Sequence, residues 1–188
     1  VYEANITVFD ALKKSDYDSN GKFFLERYVS AHSIMISFEG IPALYFNSLF
    51  GKSNDEAKYV ITGNNRDVNR YKWNYKNISK KLDNKNSKQS IFFQKISNLL
   101  SIRRKQKAFH PNASRQNINL GSKIFSFKRI SIDRKQTVIC ITNLSSITQK
   151  AHLDKVYYNW KNLIGSKIKV NNKLLILKPF ETIWLSNR

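Results

Sequence analysis

Glu39-Gly40-Ile41-Pro42-Ala43-Leu44-Tyr45-Phe46 is an apolar run reached through a glycine turn. Upstream of it, apolar residues recur at Phe24, Leu25, Tyr28, Ala31, Ile34, Met35 and Phe38. That spacing predicts a helix with a wide apolar face from Lys22 to Phe38. Gly40 ends this helix, and Pro42 to Phe46 reads as a short strand. A strand apolar at every position needs cover on both faces, as strands of a parallel sheet have.

Downstream, Asn47 to Asn86 is polar and reads as one long loop of about forty residues, a length that compact domains tolerate where the loop has a function. A second helix is expected from about Lys88 to Lys107, with Ile91, Phe92, Ile96, Leu99, Leu100 and Ile102 facing inward. His110-Pro111-Asn112 breaks it. Beyond this point the period changes. Lys123–Ile130, Thr137–Thr142, Gln149–Leu153, Ile168–Val170, Lys173–Leu177 and Thr182–Leu185 are short strand-like runs parted by polar turns, the pattern of an antiparallel sandwich. The reading divides the chain into residues 1–107 and 108–188.

Hydrophobic residues make up 41% of the 188 and aromatic ones 13%, enough to build a core and to argue against disorder. No apolar run approaches the roughly 20 residues of a membrane span, so a soluble, cytoplasmic protein is expected. Cys140 sits in Val138-Ile139-Cys140-Ile141 and reads as a small buried hydrophobe. The three histidines, His32, His110 and His152, fall on a helix, a break and a strand, which is no pattern for a metal or a triad; no cofactor is expected. The formal net charge of +20 raises nucleic acid as a partner. The basic residues are scattered, however, apart from Lys80-Lys81 and Arg103-Arg104-Lys105, in a chain rich in Lys, Asn, Ile, Phe and Ser together. Compositional drift accounts for such a charge without any polyanion.

Glu39 to Phe46 resembles the eighth barrel strand of the α-amylase superfamily, glycoside hydrolase family 13. Tyr2 to Leu12 looks like the segment before the seventh barrel helix in its sucrose phosphorylase-like subfamily. Asn47 to Asp55 and Asn65-Arg66-Asp67-Val68-Asn69-Arg70 are similar to that subfamily's loop after the eighth strand. Ala108 to Ala113 resembles its passage into the C-terminal domain, and Leu177 to Leu185 its closing strands. Five pieces in the family's order carry more weight than any one alone.

The resemblance implies the end of a (β/α)8 barrel, with helix seven, strand eight and helix eight, followed by an antiparallel β-domain. Active sites of such barrels lie at the C-terminal ends of the strands. It further implies a retaining enzyme that moves a glucosyl unit through a carboxylate nucleophile and a carboxylic acid, with inorganic phosphate as acceptor. The family's three catalytic carboxylates belong to strands four, five and seven, upstream of Tyr2, so no catalytic residue is expected here and the chain alone is expected to be inactive. An upstream barrel polypeptide is the implied partner. Asp16, Asp18, Asp55 and Glu56 read as solvated surface and do not replace the missing carboxylates. Arg66 matches the arginine that holds the outer hydroxyls of the glucosyl ring and Glu3 a position beside the acceptor, while Asn5 is a weaker candidate for substrate contact with a structural role as its alternative. An acidic Glu3 favours acceptors of the glycerol or glycerate type over fructose. The rival reading is a basic β-domain that binds nucleic acid or polysaccharide, with Tyr157, Tyr158 and Trp160 as stacking surfaces.

Overall fold

Backbone order in the computed structural model covers residues 3–165, 168, 170, 171 and 174–188. Tyr2, Lys169 and Lys173, which the sequence reading placed in a motif and in two strands, lie outside the described residues. The helices in chain order are α1 (Val8–Ala11), α2 (Phe24–Ser37), α3 (Phe46–Leu49), α4 (Glu56–Thr62), α5 (Tyr75–Asp83) and α6 (Lys88–Arg104). The strands are β1 (Ser114–Asn117), β2 (Ile124–Ile130), β3 (Thr137–Asn143), β4 (Gln149–His152), β5 (Lys161–Asn162), β6 (Val170–Asn171), β7 (Leu174–Leu177) and β8 (Thr182–Ser186). Backbone proximity gathers them into two units: Val1–Phe24 with Ala43–Asn98, and Leu25–Pro42 with Leu99–Arg188.

The first unit is built on aromatic rings. Phe9 of α1 meets Phe24 edge-on at 4.5 Å and Phe92 at 5.4 Å, while Phe50 stacks on Phe93 at 5.5 Å. The backbone passes so close to these rings at Gly51 that a Cβ there would lie 2.9 Å from a Phe92 ring carbon, at a positive φ of 57°. Only glycine fits. The expected forty-residue loop is not one. It holds α3, α4, α5 and a 3₁₀ turn at Asn65–Asn69, started by side-chain caps from Asp55, Asn64 and Asn74. Helices α4 and α5 are nearly all exposed, with only Ile78 of α5 buried, and α3 buries the polar Asn47 and Ser48, so no apolar period announces them. Asp18 also departs from the sequence reading: it is buried, and its carboxylate accepts from the N–H groups of Lys22 and Phe23.

The second unit opens on α2, whose buried face is not the expected one. Ser30, Ser33 and Ser37 are buried beside Tyr28, His32 and Ile36, whereas Met35 is exposed. The three hydroxyls escape the usual penalty by bonding back to carbonyls three or four residues earlier. Burial also pulls the pKa of His32 down, with its Nδ1 2.9 Å from the Tyr28 carbonyl oxygen.

The end of α2 is collared by arginines. The last carbonyls of a helix have no partners within it. Arg103 donates from Nε to the Ile36 carbonyl at 2.6 Å and from Nη2 to that of Gly40 at 3.3 Å. Arg129, fully buried, donates from Nη1 to the Ser37 carbonyl at 2.7 Å. Its Nη2 reaches the carbonyls of His110 and Ala113 at 2.9 and 3.1 Å. Arg115 pairs with Glu39 at 2.7 Å and lies over the Phe38 ring. Gly40, at a φ of 82°, then donates its N–H to the Pro111 carbonyl.

The sandwich is present. One sheet runs β1-β2-β3-β8-β5 and the other β4-β7-β6, with every pairing antiparallel. Ile139, Ile141, Ile183 and Leu185 of the first sheet meet Ala151, Leu175 and Leu177 of the second in one core. Cys140 pairs with Trp184 across β3 and β8, and burial pushes its thiol up to about 12. The sequence reading missed β1 and β5: the first is polar throughout and the second is two residues long.

Ile41 to Tyr45 belongs to no ladder among the described residues, and no hydrogen bond is described for the backbone of Ile41 to Leu44. Exposure alternates along it, with Ile41, Ala43 and Tyr45 exposed and Pro42 and Leu44 half-buried. The period is that of a strand. Tyr45 is extended at φ −70°, ψ 134°, and Phe46 opens α3, so the run ends one residue earlier than expected.

Replacing Arg129 with Met should strip three carbonyls, two of them in buried bonds, of their donor. Charge-assisted bonds of this kind support a loss of about 3 kcal/mol. Thermal denaturation should then fall by roughly 6–12 °C for a chain of this size. Arg129→Lys should recover little, since one ammonium does not span all three carbonyls. Unchanged melting of either variant would contradict the collar.

A candidate sugar-contacting surface in the first unit

The segment before α1 is fixed by a reciprocal pair of bonds. Thr7 caps α1 through its hydroxyl and gives its own N–H to Asn54 Oδ1 at 2.9 Å. Asn54 in turn gives its N–H to Asp10 Oδ2 at 2.6 Å. Residues 3–10 are thereby tied to the segment that follows α3.

That following segment is ordered by polar side chains. Asn47, buried, donates from Nδ2 to the Tyr71 carbonyl at 3.0 Å and accepts from Trp73 Nε1 at 2.8 Å. Asp55 caps α4 and also donates its N–H to the Val68 carbonyl at 2.7 Å. Gly63, in the left-handed region at φ 65°, closes α4, and Asn64 Oδ1 accepts from the N–H of Arg66 at 3.1 Å. Lys58 bonds Asp67 at 2.7 Å and holds its carboxyl below the ordinary carboxylate range. Arg66 therefore stands on a 3₁₀ turn fastened at both sides.

The structure brings together two of the three site residues expected from sequence. Arg66 donates from Nε and Nη2 to the same oxygen of Glu3, Oε2, at 3.2 and 3.0 Å, across 63 positions of sequence. Both side chains stay partly open, at 51% for Arg66 and 36% for Glu3. Asn5 forms no described hydrogen bond to either, and its Oδ1 is buried without a partner. A guanidinium and a carboxylate offer donors and acceptors to hydroxyl groups. The same unit holds a cavity of about 190 Å³ lined by Ile6, Thr7, Tyr45, Asn47, Lys52 and Asn69, among others; Glu3, Asn5 and Arg66 are not among its described lining residues. Sequence reasoning missed Asp10, Asn47 and Asn54, the residues that position the segments. No local signal marks them, since each acts through a bond to a distant segment.

No protein-family profile matches the chain. It is 28% identical over 185 residues to a glucosylglycerate phosphorylase of Escherichia coli, covering 98% of this chain and 32% of that protein. A glucosylglycerate phosphorylase of Allomeiothermus silvanus is 31% identical over 184 residues, again covering 98% of this chain and 31% of the relative. A sucrose phosphorylase of Agrobacterium vitis matches 68% of the chain at 28% identity, over 23% of its own length. The chain thus spans about a third of the length of the glucosylglycerate phosphorylases it matches. Among solved structures, the trehalose-6-phosphate hydrolase of Bacillus licheniformis superposes with a TM-score of 0.64 at 14% identity, over 92% of this chain and 40% of that one. AmyP in complex with maltose gives 0.63 at 17% identity, over 86% and 34%. These two share the fold of this chain over about a third of their own length or slightly more.

An exposed ion pair contributes at most about 1 kcal/mol to stability. Arg66→Ala should therefore melt within a few degrees of the parent chain in thermal denaturation. A large drop would make Arg66 a structural residue and remove the case for a binding role.

Proposed function

We propose, from the premise that this chain is of the sucrose phosphorylase-like subfamily of glycoside hydrolase family 13, that it supplies one wall of the glucosyl pocket in a retaining phosphorylase. Residues 1–107 are the end of the catalytic barrel and 108–188 its β-domain. The substrate is a glucosyl unit carried on glycerate, glycerol or fructose, with inorganic phosphate as the second substrate. Glucosylglycerate is preferred, because relatives of that name match 98% of the chain.

The observation that carries this reading is the pairing of Glu3 with Arg66. In the proposal, Arg66 turns its remaining donors to the outer hydroxyls of the glucosyl ring. A guanidinium suits this because its donors are planar, fixed and always charged. Glu3 keeps Oε1 for an acceptor hydroxyl. The bond-making groups are on barrel staves outside this chain. One carboxylate attacks the anomeric carbon while a carboxylic acid protonates the departing glycerate oxygen. A phosphate oxygen then attacks the same carbon and the carboxylate leaves, giving glucose 1-phosphate with configuration retained. The chain's own part is to bind and orient, so it is inactive without a polypeptide that supplies the other staves.

Co-expression with the preceding barrel segment of the Escherichia coli relative tests this. Phosphate-dependent release of glucose 1-phosphate from glucosylglycerate is expected from the pair and from neither piece alone. Arg66→Ala should lower kcat/KM about 100-fold, or about 2.7 kcal/mol of transition-state binding. Full turnover by that variant would remove Arg66 from the site.

A further inference from the structure

The second unit holds a larger cavity, about 560 Å³, that the proposed glucosyl pocket does not use. Tyr158, Asn159, Trp160, Lys161, Asn162 and Ile168 are among its lining residues. This volume falls within the range of small-molecule sites, roughly 300–1,000 Å³. It sits at β5, the outermost strand of the five-stranded sheet.

Its walls are built rather than incidental. Trp160 gives its N–H to the Tyr157 carbonyl at 3.1 Å and meets the Tyr157 ring edge-on at 4.9 Å. Tyr157, Tyr158 and Trp160 all pack against the sandwich core, yet each remains half-buried. Asn162 Oδ1 accepts from the N–H of Trp184 at 3.2 Å, and Leu163 donates to the Trp184 carbonyl at 2.8 Å. The lip is thereby fastened to β8. Asn159 and Lys161 are exposed. Rigid aromatic area at low entropic cost, next to an amide and an ammonium, is what a pyranose ring requires. Its C–H face is apolar and its rim carries hydroxyls that both give and accept hydrogen bonds.

We propose that this cavity binds a neutral pyranose glycan, with a ring face against Tyr158 or Trp160 and hydroxyls on Asn159 and Lys161. The lining favours this over nucleic acid. Gripping a polyanion takes a row of cations, one for each phosphate neutralised. Here Lys161 is the one cation among the lining residues given, and none of them is acidic. The overall charge of +20 therefore does not define this site. The inference stands apart from the phosphorylase reading, since it concerns the β-domain and needs no barrel stave.

The ¹⁵N-labelled 188-residue chain, titrated with maltotriose, tests it. Saturable shifts of the Trp160 indole N–H and the Asn159 side-chain amide are expected, unchanged by added salt. The exposed double variant Asn159→Ala/Lys161→Ala should weaken binding about tenfold, while resonances of β2 and β3 stay in place. Trp160→Ala should abolish binding, and the double variant keeps the test valid if Trp160→Ala unfolds. Stationary Trp160 and Asn159 resonances at high maltotriose would overturn the proposal. So would shifts produced only by single-stranded DNA and lost steeply with salt.

Discussion

An extended backbone carries hydrogen-bonding groups on both edges, and burying them unpaired costs more than most side-chain contacts return. Ile41 to Leu44 has no backbone bond described, and Ile41 and Tyr45 leave most of their apolar surface open, at 85% and 53%. The run keeps the alternating exposure of a strand without the neighbours that make a strand stable. Its extended form fits the end of a barrel. This is consistent with relatives about three times as long as the chain.

What precedes the run is firmly held. Ile36, Ser37, Glu39 and Gly40 receive Arg103, Arg129 and Arg115, and Phe38 lies 5.1 Å from Phe127 of β2. A guanidinium has five donors in a fixed plane, so a single buried Arg129 satisfies three carbonyls that a lysine would leave partly bare. Part of the chain's large positive charge has this structural use. The arginines also complement the negative end of the α2 dipole.

How much of this was legible in the sequence varies by element. The sandwich was, because β3 and β8 are short runs rich in apolar residues, buried at nearly every position and parted from their neighbours by polar turns. The polar stretch after Tyr45 was not, because α4 and α5 bury almost nothing, and their start signals, Asp55 and Asn74, are single residues in an Asn-rich chain. The face of α2 was misread because serines that bond their own backbone pack inward like small apolar residues. Glu3 and Arg66 were singled out only through family resemblance, as nothing in their local pattern distinguishes them. Their contact across 63 positions required a fold. Asn54 and Asp10, which tie the same segments, were invisible for the same reason: a reciprocal bond between distant loops has no period.

The first unit accordingly presents the Glu3–Arg66 pair on segments held by caps and amide bonds, and the second presents a rigid sandwich with arginines gripping the approach to the open run. Both descriptions rest on the run being a stave. Amide hydrogen exchange over Ile41 to Tyr45 tests this most directly, measured with and without the preceding barrel segment. The account predicts rapid exchange in the chain alone, beside protected amides in β2 and β3, and strong protection once that segment is added. Slow exchange in the isolated chain, or no change on addition, would contradict it.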